Sequence, residues 1–443
     1  MKEQRKQSAM AALLTVTFLV GAPAPVRAVE PTTFYVAQSG VAAATPGDGT
    51  GCSNPDYVEP ATGDDHAAIQ EAITDAGAGD TIYLCAGSYD IGSTINLGTE
   101  AIFMRGAGRG NTILDGGYDT RILVSDANVN VTGLTFQHGY SITYGGAIVA
   151  PSANVNESSF VGNEADNDQG GGAILSWNVI TVTNSSFVGN TAGTGGAIYT
   201  NSVAEVQNSR FTANTATSGQ GGSIKASAAT ITNSNFAENT ASGSGGAISA
   251  GTVTVSASGF TRNHAAAAGG AILADDVTVG GTTFTANSAG VTGGAILSDT
   301  ALIKVGRFTE NQANYGGAVH VYTTATVERS TFTRNVAFLY AGALLAPTAV
   351  LRFSEFSLNQ AGSNAGAVFL YTVEPADLNQ MRRNTFSKNV ASRSGALNLE
   401  RCDMAPSLAE GRRVERANTF TGNRATLLRR TANIELTVSS CGR

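Results

Sequence analysis

Two aspartates, Asp275 and Asp299, lie 24 residues apart, and Asp276 directly follows the first. On neighbouring strands their carboxylates would lie about 5 Å apart, which suits the carboxylate pair of a retaining glycosidase or a set of calcium ligands. Acid–base catalysis also needs two groups with well-separated pKa values, and no general acid or arginine has a clear place beside these residues. We therefore interpret both as solvated turn residues, keep them as the only catalytic candidates, and predict no metal site and no cofactor.

Aromatic side chains form a second group that could do chemistry, by binding. His320 and Tyr322 lie two residues apart, and Phe369 and Tyr371 repeat this offset about 50 residues later. If these four side chains face solvent, they form a patch that binds sugars or proteins by ring stacking and desolvation. If the segment Val373–Gln380 covers them, they form a small satellite core instead. The sequence leaves both interpretations open, and we predict the four residues as the binding site.

The elements that must position these residues recur about every 24 residues. A four-residue unit, most often Gly-Gly-Ala-Ile, occurs eleven times, and Phe-x-x-Asn recurs in phase with it. An apolar residue lies five positions before most of these phenylalanines with polar residues between, which is the alternation of a short strand. The asparagine after each phenylalanine suits a bend with left-handed backbone. The four-residue units begin at Gly145, Gly171, Gly195, Gly221, Gly245, Gly269, Gly293, Gly316, Ala341, Ala365 and Ser394.

One such unit cannot bury its own apolar face, but stacked units can, because equivalent residues then lie about 4.8 Å apart along the stack. The repeat therefore predicts an all-β fold, a right-handed parallel β-helix with roughly twelve to thirteen coils. Residues 65–76 place apolar residues at helical spacing after Asp64 or Asp65 as N-cap, which predicts a capping helix over the first coil. We expect an N-terminal cap with irregular coils over 29–144, repeats over 145–423 and a C-terminal cap over 424–443.

The first 28 residues have the layout of a secretory signal peptide. Lys2, Arg5 and Lys6 precede an apolar run that is too short to span a bilayer, and small residues follow at a plausible cleavage site. We expect a secreted or cell-surface protein with no transmembrane segment in the mature chain. The whole chain has 27 basic and 34 acidic residues, a net charge of −7, which argues against nucleic acid as a partner.

The four cysteines agree with export. Cys52 and Cys85 lie near one end of the chain, and Cys402 and Cys441 near the other, without a metal-binding spacing. Four cysteines allow three pairings. Pairing within each end would tie down the termini, where a repeat array is weakest.

The Gly-Gly-Ala-Ile and Phe-x-x-Asn motifs, over Gly145 to Asn423, resemble the repeat of the chlamydial polymorphic outer membrane proteins. The N-terminal stretch DDHAAIQEAITDAGAGDTIYLCAGSY resembles the capping segment of pectin-lyase-like exported proteins. The resemblance implies an exported, surface-exposed β-helix that acts in adhesion. We therefore predict a non-enzymatic binding protein whose partner is a carbohydrate or a protein of a host or cell surface. The alternative is a polysaccharide lyase or glycoside hydrolase of the same fold, with Asp275 and Asp299 as its site.

Overall fold

The structure is a computed structural model that describes residues 31–39, 50–59, 63–166, 170–373, 378–402, 408–426 and 433–439. The expected signal peptide over residues 1–28 lies outside this part of the chain. Of the expected C-terminal cap over 424–443, only 424–426 and 433–439 are described.

The described chain is a parallel β-solenoid of about 13 turns, with about 5% of its residues in helices. This confirms the fold that the repeat predicts. Each full coil contributes strands to three parallel sheets, and equivalent strands of successive coils are hydrogen-bonded neighbours. The two helices in the described residues are α1 (His66–Asp75) and α2 (Leu408–Ala417).

The first sheet holds the Gly-Gly-Ala-Ile strand and the alternating strand that follows it in each coil. Its strands are Thr33–Gln38, Tyr57–Glu59, Thr81–Leu84, Ile95–Asn96, Phe103–Gly106, Leu123–Val124, Val129–Thr132, Ile148–Ala150, Ala153–Asn156, Ile174–Ser176, Ile180–Thr183, Ile198–Thr200, Val203–Gln207, Ile224–Lys225, Ala228–Thr232, Ile248–Ser249, Thr252–Ser256, Ile272–Gly280, Ile296–Lys304, Val319–Glu328, Leu344–Ala346, Thr348–Arg352, Val368–Leu370, Leu397–Cys402 and Ile434–Ser439.

The second sheet carries the phenylalanines, and the third sheet follows the asparagines. The second sheet consists of Gly87–Asp90, Thr112–Asp115, Thr135–Gln137, Ser159–Val161, Ser186–Val188, Arg210–Thr212, Asn235–Ala237, Gly259–Thr261, Thr283–Thr285, Arg307–Thr309, Thr331–Thr333, Glu355–Ser357, Thr385–Ser387 and Thr419–Thr421. The third sheet consists of Tyr140–Ser141, Glu164–Ala165, Thr191–Ala192, Thr215–Ala216, Thr240–Ala241, His264–Ala265, Ser288–Ala289, Gln312–Tyr315, Val336–Tyr340, Gln360–Ala361, Val390–Ala391 and Arg424–Ala425.

The repeated phenylalanines stack on one another inside the solenoid. Phe236 and Phe260, for example, have ring centroids 4.9 Å apart and an interplanar angle of 5°. Both side chains are fully buried, as are their equivalents in the neighbouring coils. The stack, together with the isoleucines and valines of the first sheet, forms one continuous core along the solenoid. Burial of this apolar surface is the main force that holds the coils together.

The repeated asparagines are buried beside the phenylalanines and form a continuous column of hydrogen bonds. The side-chain amide of Asn239 donates to Oδ1 of Asn263 at 2.9 Å and to the carbonyl of Phe211 at 3.0 Å. The prediction of left-handed backbone at the asparagine is wrong, because the left-handed residue is the one before it, such as Glu238 with φ 59°. The asparagine itself points into the core, where its amide connects its own coil to the coil before it and the coil after it.

The glycine pair of each repeat allows two different close approaches. Gly245 has φ 69°, a conformation that other residues rarely adopt. A Cβ on Gly246 would lie 2.1 Å from the carbonyl oxygen of Gly270 in the next coil. The first glycine therefore makes the turn, and the second lets two backbones meet.

The N-terminal end is closed by α1, which begins after Asp65 as predicted, but Asp65 makes no side-chain capping bond. The buried carboxylate of Glu59 accepts the backbone N–H groups of Ala68 and Ile69 instead, at 3.3 and 3.0 Å. Burial raises the pKa of Glu59 to about 7, against the lowering effect of these two hydrogen bonds.

A disulfide joins Cys52 and Cys85 in the same cap, which selects, among the pairings that the sequence left open, the one within each end. Cys441 and the side chain of Cys402 lie outside the described residues, so the second pair stays a prediction.

Candidate functional site

The predicted aromatic residues lie on the outer side of the first sheet, over three successive coils. The sheet register aligns His320 with Leu345 and Leu345 with Phe369. Two positions further along the chain lie Tyr322, Pro347 and Tyr371. Tyr322 and Tyr371 are therefore two coils apart, about 10 Å at the spacing of β-strands.

Phe369 belongs to an apolar cluster that is separate from the main core. It is 7% exposed and packs with Leu345, and the partly buried rings of Tyr315, Tyr340 and Tyr371 lie against this cluster. Tyr340 meets Phe369 edge-on at 5.8 Å, and Tyr371 meets it edge-on at 6.2 Å. Phe369 is thus a buried residue against which Tyr340 and Tyr371 pack, and not an exposed binding residue.

His320 is the residue against which the ring of Tyr322 packs. Its Nδ1 shares a hydrogen bond with the hydroxyl of Thr292, and burial lowers its pKa to about 4. The imidazole is therefore neutral at physiological pH. Its ring meets the ring of Tyr322 at a centroid distance of 4.8 Å and an angle of 61°.

Tyr322 and Tyr371 present the accessible part of the cluster. Tyr322 is 50% exposed and Tyr371 is partly buried. Burial, and to a smaller degree the nearby Tyr322, raises the pKa of Tyr371, so the phenol of Tyr371 is protonated and can donate a hydrogen bond. We call His320, Tyr322, Tyr340, Phe369 and Tyr371 the aromatic patch.

The structure has features of both interpretations that the sequence left open, the exposed binding patch and the small satellite core. Phe369 and His320 form a base that is largely buried, and Tyr322 and Tyr371 form an accessible rim. The segment Val373–Gln380 does not cover it with its described side chains, since Val373 and Leu378 are buried in the main core. Residues 374–377 lie outside the described part of the chain. The sequence analysis did not predict that Tyr315 and Thr292 belong to this site. The only indication in the sequence is that each of them directly precedes the Gly-Gly-Ala-Ile unit of its own coil.

Apolar side chains next to the aromatic patch extend it toward the third sheet. Phe338 and Leu339 are exposed, and they lie in the strand Val336–Tyr340, which ends at the ring of Tyr340. Large exposed apolar side chains that adjoin one another are typical of an interaction surface.

The catalytic candidates Asp275 and Asp299 are both exposed, on neighbouring strands of the first sheet. Asp276 accepts a hydrogen bond from the hydroxyl of Thr300. Burial lowers the pKa of Lys225, and the charge of Asp275 acts against this lowering, so the two groups interact electrostatically. Among the described residues no three His, Cys, Asp or Glu side chains are placed to hold a metal ion.

A cluster that the sequence analysis did not bring together lies in the early coils. His138 contacts Asp115 through Nδ1 at 3.1 Å, and the ring of Tyr118 stacks on the imidazole at 4.5 Å. They line an open cleft of about 580 Å³ together with Asp64 and Asp90. A hydrogen bond from Gln137 is the main influence that lowers the pKa of Asp115 against its burial, and the imidazole adds to it. These residues precede the regular repeats, so periodicity gave no signal for them.

A comparison with known protein families agrees with the repeat. The family model of the Chlamydia polymorphic membrane protein repeat matches residues 184–201. No curated protein matches the chain. Among the described residues, no helix combines the length and the hydropathy that a bilayer crossing requires.

Two solved structures are similar to this chain. The catalytic unit of a thermostable GH87 alpha-1,3-glucanase from Streptomyces thermodiastaticus strain HF3-3 aligns with a TM-score of 0.44 and 14% identity, over 86% of this chain and 68% of that one. A mannuronic acid specific polysaccharide family 6 lyase from human gut microbiota aligns with a TM-score of 0.38 and 11% identity, over 80% and 89%. At this level of similarity neither activity transfers to this chain.

Proposed function

We propose that this protein is an exported, non-enzymatic binding protein that presents a β-helix at or outside the cell surface and holds its ligand at the aromatic patch. The observation that carries the proposal is the pair of accessible rings, Tyr322 and Tyr371, on a buried base of His320 and Phe369. The surface location is supported by the match to the polymorphic membrane protein repeat.

The patch suits a carbohydrate ligand. A sugar ring packs its C–H groups on an aromatic face and offers hydroxyls to phenolic groups, so tyrosines satisfy both sides of the ligand. The edge-on contacts to His320 and Phe369 hold Tyr322 and Tyr371 in place before binding, which reduces the conformational entropy that binding would otherwise cost.

The test is binding of the purified protein to a glycan array and to whole cells. We expect Tyr322→Ala/Tyr371→Ala to weaken binding at least tenfold. Trp177→Ala is the matched control, because Trp177 is also a large exposed aromatic of the solenoid but lies outside the patch. Equal binding by the double variant and the wild type, or no binding of the wild type to any surface, would refute the proposal.

The alternative function, a polysaccharide lyase or glycoside hydrolase, rests on Asp275 and Asp299. We do not favour it, because both carboxylates are exposed on the surface of the first sheet. Incubation with acidic and neutral polysaccharides tests it directly. Release of reducing or unsaturated ends that Asp299→Asn abolishes would replace the binding proposal.

A further inference from the structure

Charge is distributed very unevenly along the chain. Residues 29–299 contain 6 basic and 23 acidic residues, whereas residues 300–443 contain 17 basic and 10 acidic residues. The first segment therefore has a net charge of −17 and the second a net charge of +7, with His neutral. The net acidity of the whole chain hides a basic C-terminal part.

Many of these cations lie on the outer side of the second sheet, on the coils that contain Phe308 to Phe386. Four of them flank the short strands at the two corners where the chain enters and leaves this sheet, and Arg307 begins the strand Arg307–Thr309. We call this surface the basic face; its cations are Arg307, Arg329, Arg334, Arg383 and Lys388, all of them exposed. Glu310 and Glu355 are the acidic residues on the same surface. Among the described residues, no carboxylate forms an ion pair with any of the five cations.

Phe353 organises the centre of the basic face. Its side chain is 47% exposed, and the guanidinium groups of Arg329 and Arg383 lie over its ring at 5.7 and 5.4 Å. Arg329 is in the preceding coil and Arg383 in the following one. These cation–π contacts favour positions of both guanidinium groups beside the ring, and the exposed groups can still donate N–H bonds to a ligand.

The backbone at this corner is left-handed in each coil from Gly133 to Arg383. Arg329, Phe353 and Arg383 have φ values of 48°, 52° and 58°. Earlier coils place Glu157, Ala257 and Val305 at the same corner, as well as asparagines and glycines. The corner therefore accepts residues of many types, and the cations here are distinguished by their charge and not by their backbone.

We propose that the basic face binds a carboxylate-bearing polysaccharide, with Arg329 and Arg383 as the main contacts. Guanidinium groups match carboxylates in charge and in planar, two-bond geometry. The hydroxyls of Thr331 and Thr385, between the two corners, can bond sugar hydroxyls. The exposed Glu355 lies between these two threonines in the sheet, so the carboxylates of the ligand must lie toward the corner with Arg329 and Arg383. This surface lies on a different sheet from the aromatic patch, so the proposal does not depend on the function proposed above.

A polysaccharide fits this face better than a single-stranded nucleic acid does. Nucleic-acid surfaces use open aromatic rings on which bases stack. The guanidinium groups of Arg329 and Arg383 already lie over the Phe353 ring, so they compete with a base for this ring.

The experiment is titration of the protein with oligogalacturonate at low salt, followed by calorimetry. We expect Arg329→Gln/Arg383→Gln to weaken binding at least tenfold and to reduce its dependence on salt concentration. Arg210→Gln/Arg262→Gln is the matched control, because these arginines lie on the same side of the solenoid within the acidic segment. The control should bind like the wild type, and circular dichroism should show the same folded β content in all three proteins.

Three outcomes would overturn the proposal. The first is unchanged affinity in Arg329→Gln/Arg383→Gln. The second is equal binding of a neutral glucan oligosaccharide by the wild type. The third is equal or tighter binding of a single-stranded DNA oligonucleotide of the same charge. As a second variant, Lys388→Gln should weaken oligogalacturonate binding by a smaller factor, because Lys388 lies at the opposite corner of the face.

Discussion

The buried asparagines in the interior of the column use their full hydrogen-bonding capacity. Oδ1 of Asn263 accepts the backbone N–H and the side-chain amide of Asn239, at 3.1 and 2.9 Å. Its own amide donates to Phe236 and to Asn287. A side-chain amide has two donors and two acceptor positions, so none is left unpaired. Since burial of an unpaired polar group is costly, this complete pairing makes the column stabilising.

We expect Asn263→Ala to destabilise the protein by about 3 kcal/mol or more. The substitution removes the acceptor of the backbone N–H and of one side-chain N–H of Asn239, and the side-chain donor to the carbonyl of Phe236. Each buried group that loses its partner costs roughly 1–3 kcal/mol. Urea unfolding followed by circular dichroism measures the effect. Asn235→Ala, at an exposed position of the neighbouring strand, is the control and should change stability by less than about 0.5 kcal/mol. Similar values for the two variants would contradict the role of the column.

For the candidate site, the repeat period correctly predicted that His320 and Phe369 share a column of the first sheet. It could not predict that these two are buried and that Tyr322 and Tyr371 form the accessible rim. That division depends on Tyr315 and Tyr340, which reach the site from the third sheet. A period of 24 residues describes contacts between equivalent positions, not contacts between different columns.

At the scale of one coil, the second glycine of each repeat sets how closely two turns can stack. We expect Gly246→Ala to prevent normal folding, because its Cβ would meet the backbone of Gly270 and neither backbone has space to move. In Gly280→Ala the new Cβ has no neighbour closer than 3.9 Å, so this variant should fold normally. Soluble yield and thermal unfolding of both variants provide the comparison. A stable Gly246→Ala protein would show that the turns can separate.

The cap helix α1 should make the stability of the N-terminal end depend on pH. The pKa of Glu59 is 4.5 in an ordinary setting and about 7 in the fold, so the folded chain binds more protons between these values. Stability is therefore highest below about pH 4.5 and falls as the pH rises to about 7, by up to roughly 3 kcal/mol. Asp65, whose pKa burial also raises, acts in the same direction.

Glu59→Gln tests this dependence. The variant cannot ionise at this position, so its urea midpoint should fall less between pH 5 and pH 8 than the midpoint of the wild type. Asp126→Asn, an exposed change in another coil, should keep the wild-type profile. A profile for Glu59→Gln identical to that of the wild type would show that another group causes the dependence.

The elements differ in how well the sequence predicted them. The strands followed from the alternation of apolar residues, and α1 from its helical spacing. The helix α2 was missed: it lies in an insertion without repeat motifs, and only Val414 among its described side chains enters the main core. The conformation of the corners was also assigned to the wrong residue. Left-handed backbone there accepts Glu238, Arg262 or Arg334, so residue type alone gave no signal.

In the whole molecule, each regular coil is paired with the coil before it and the coil after it. Stability is then close to a sum of nearest-neighbour terms, and the ends are the places where unfolding starts. The disulfide between Cys52 and Cys85 closes a loop at the N-terminal end, where α1 covers the first coils.

We expect Cys52→Ser/Cys85→Ser to lower the stability of the N-terminal end by about 3 kcal/mol, the usual value for a loop of this length. Hydrogen exchange should increase in α1 and in the strand Thr81–Leu84, while the coils around Phe260 keep their protection. Faster exchange along the entire chain would instead show that the solenoid unfolds as a single unit.

The asparagine column also has a consequence for the gene. Within the column, each asparagine bonds an asparagine of one neighbouring coil and a phenylalanine carbonyl of the other. A chain that loses or gains one complete repeat therefore still places equivalent asparagines next to each other at the junction. Unequal recombination between copies of the repeat would therefore yield shorter or longer rods that remain foldable. A deletion inside a strand that is not a whole repeat would bring a different side chain into the column and would be eliminated.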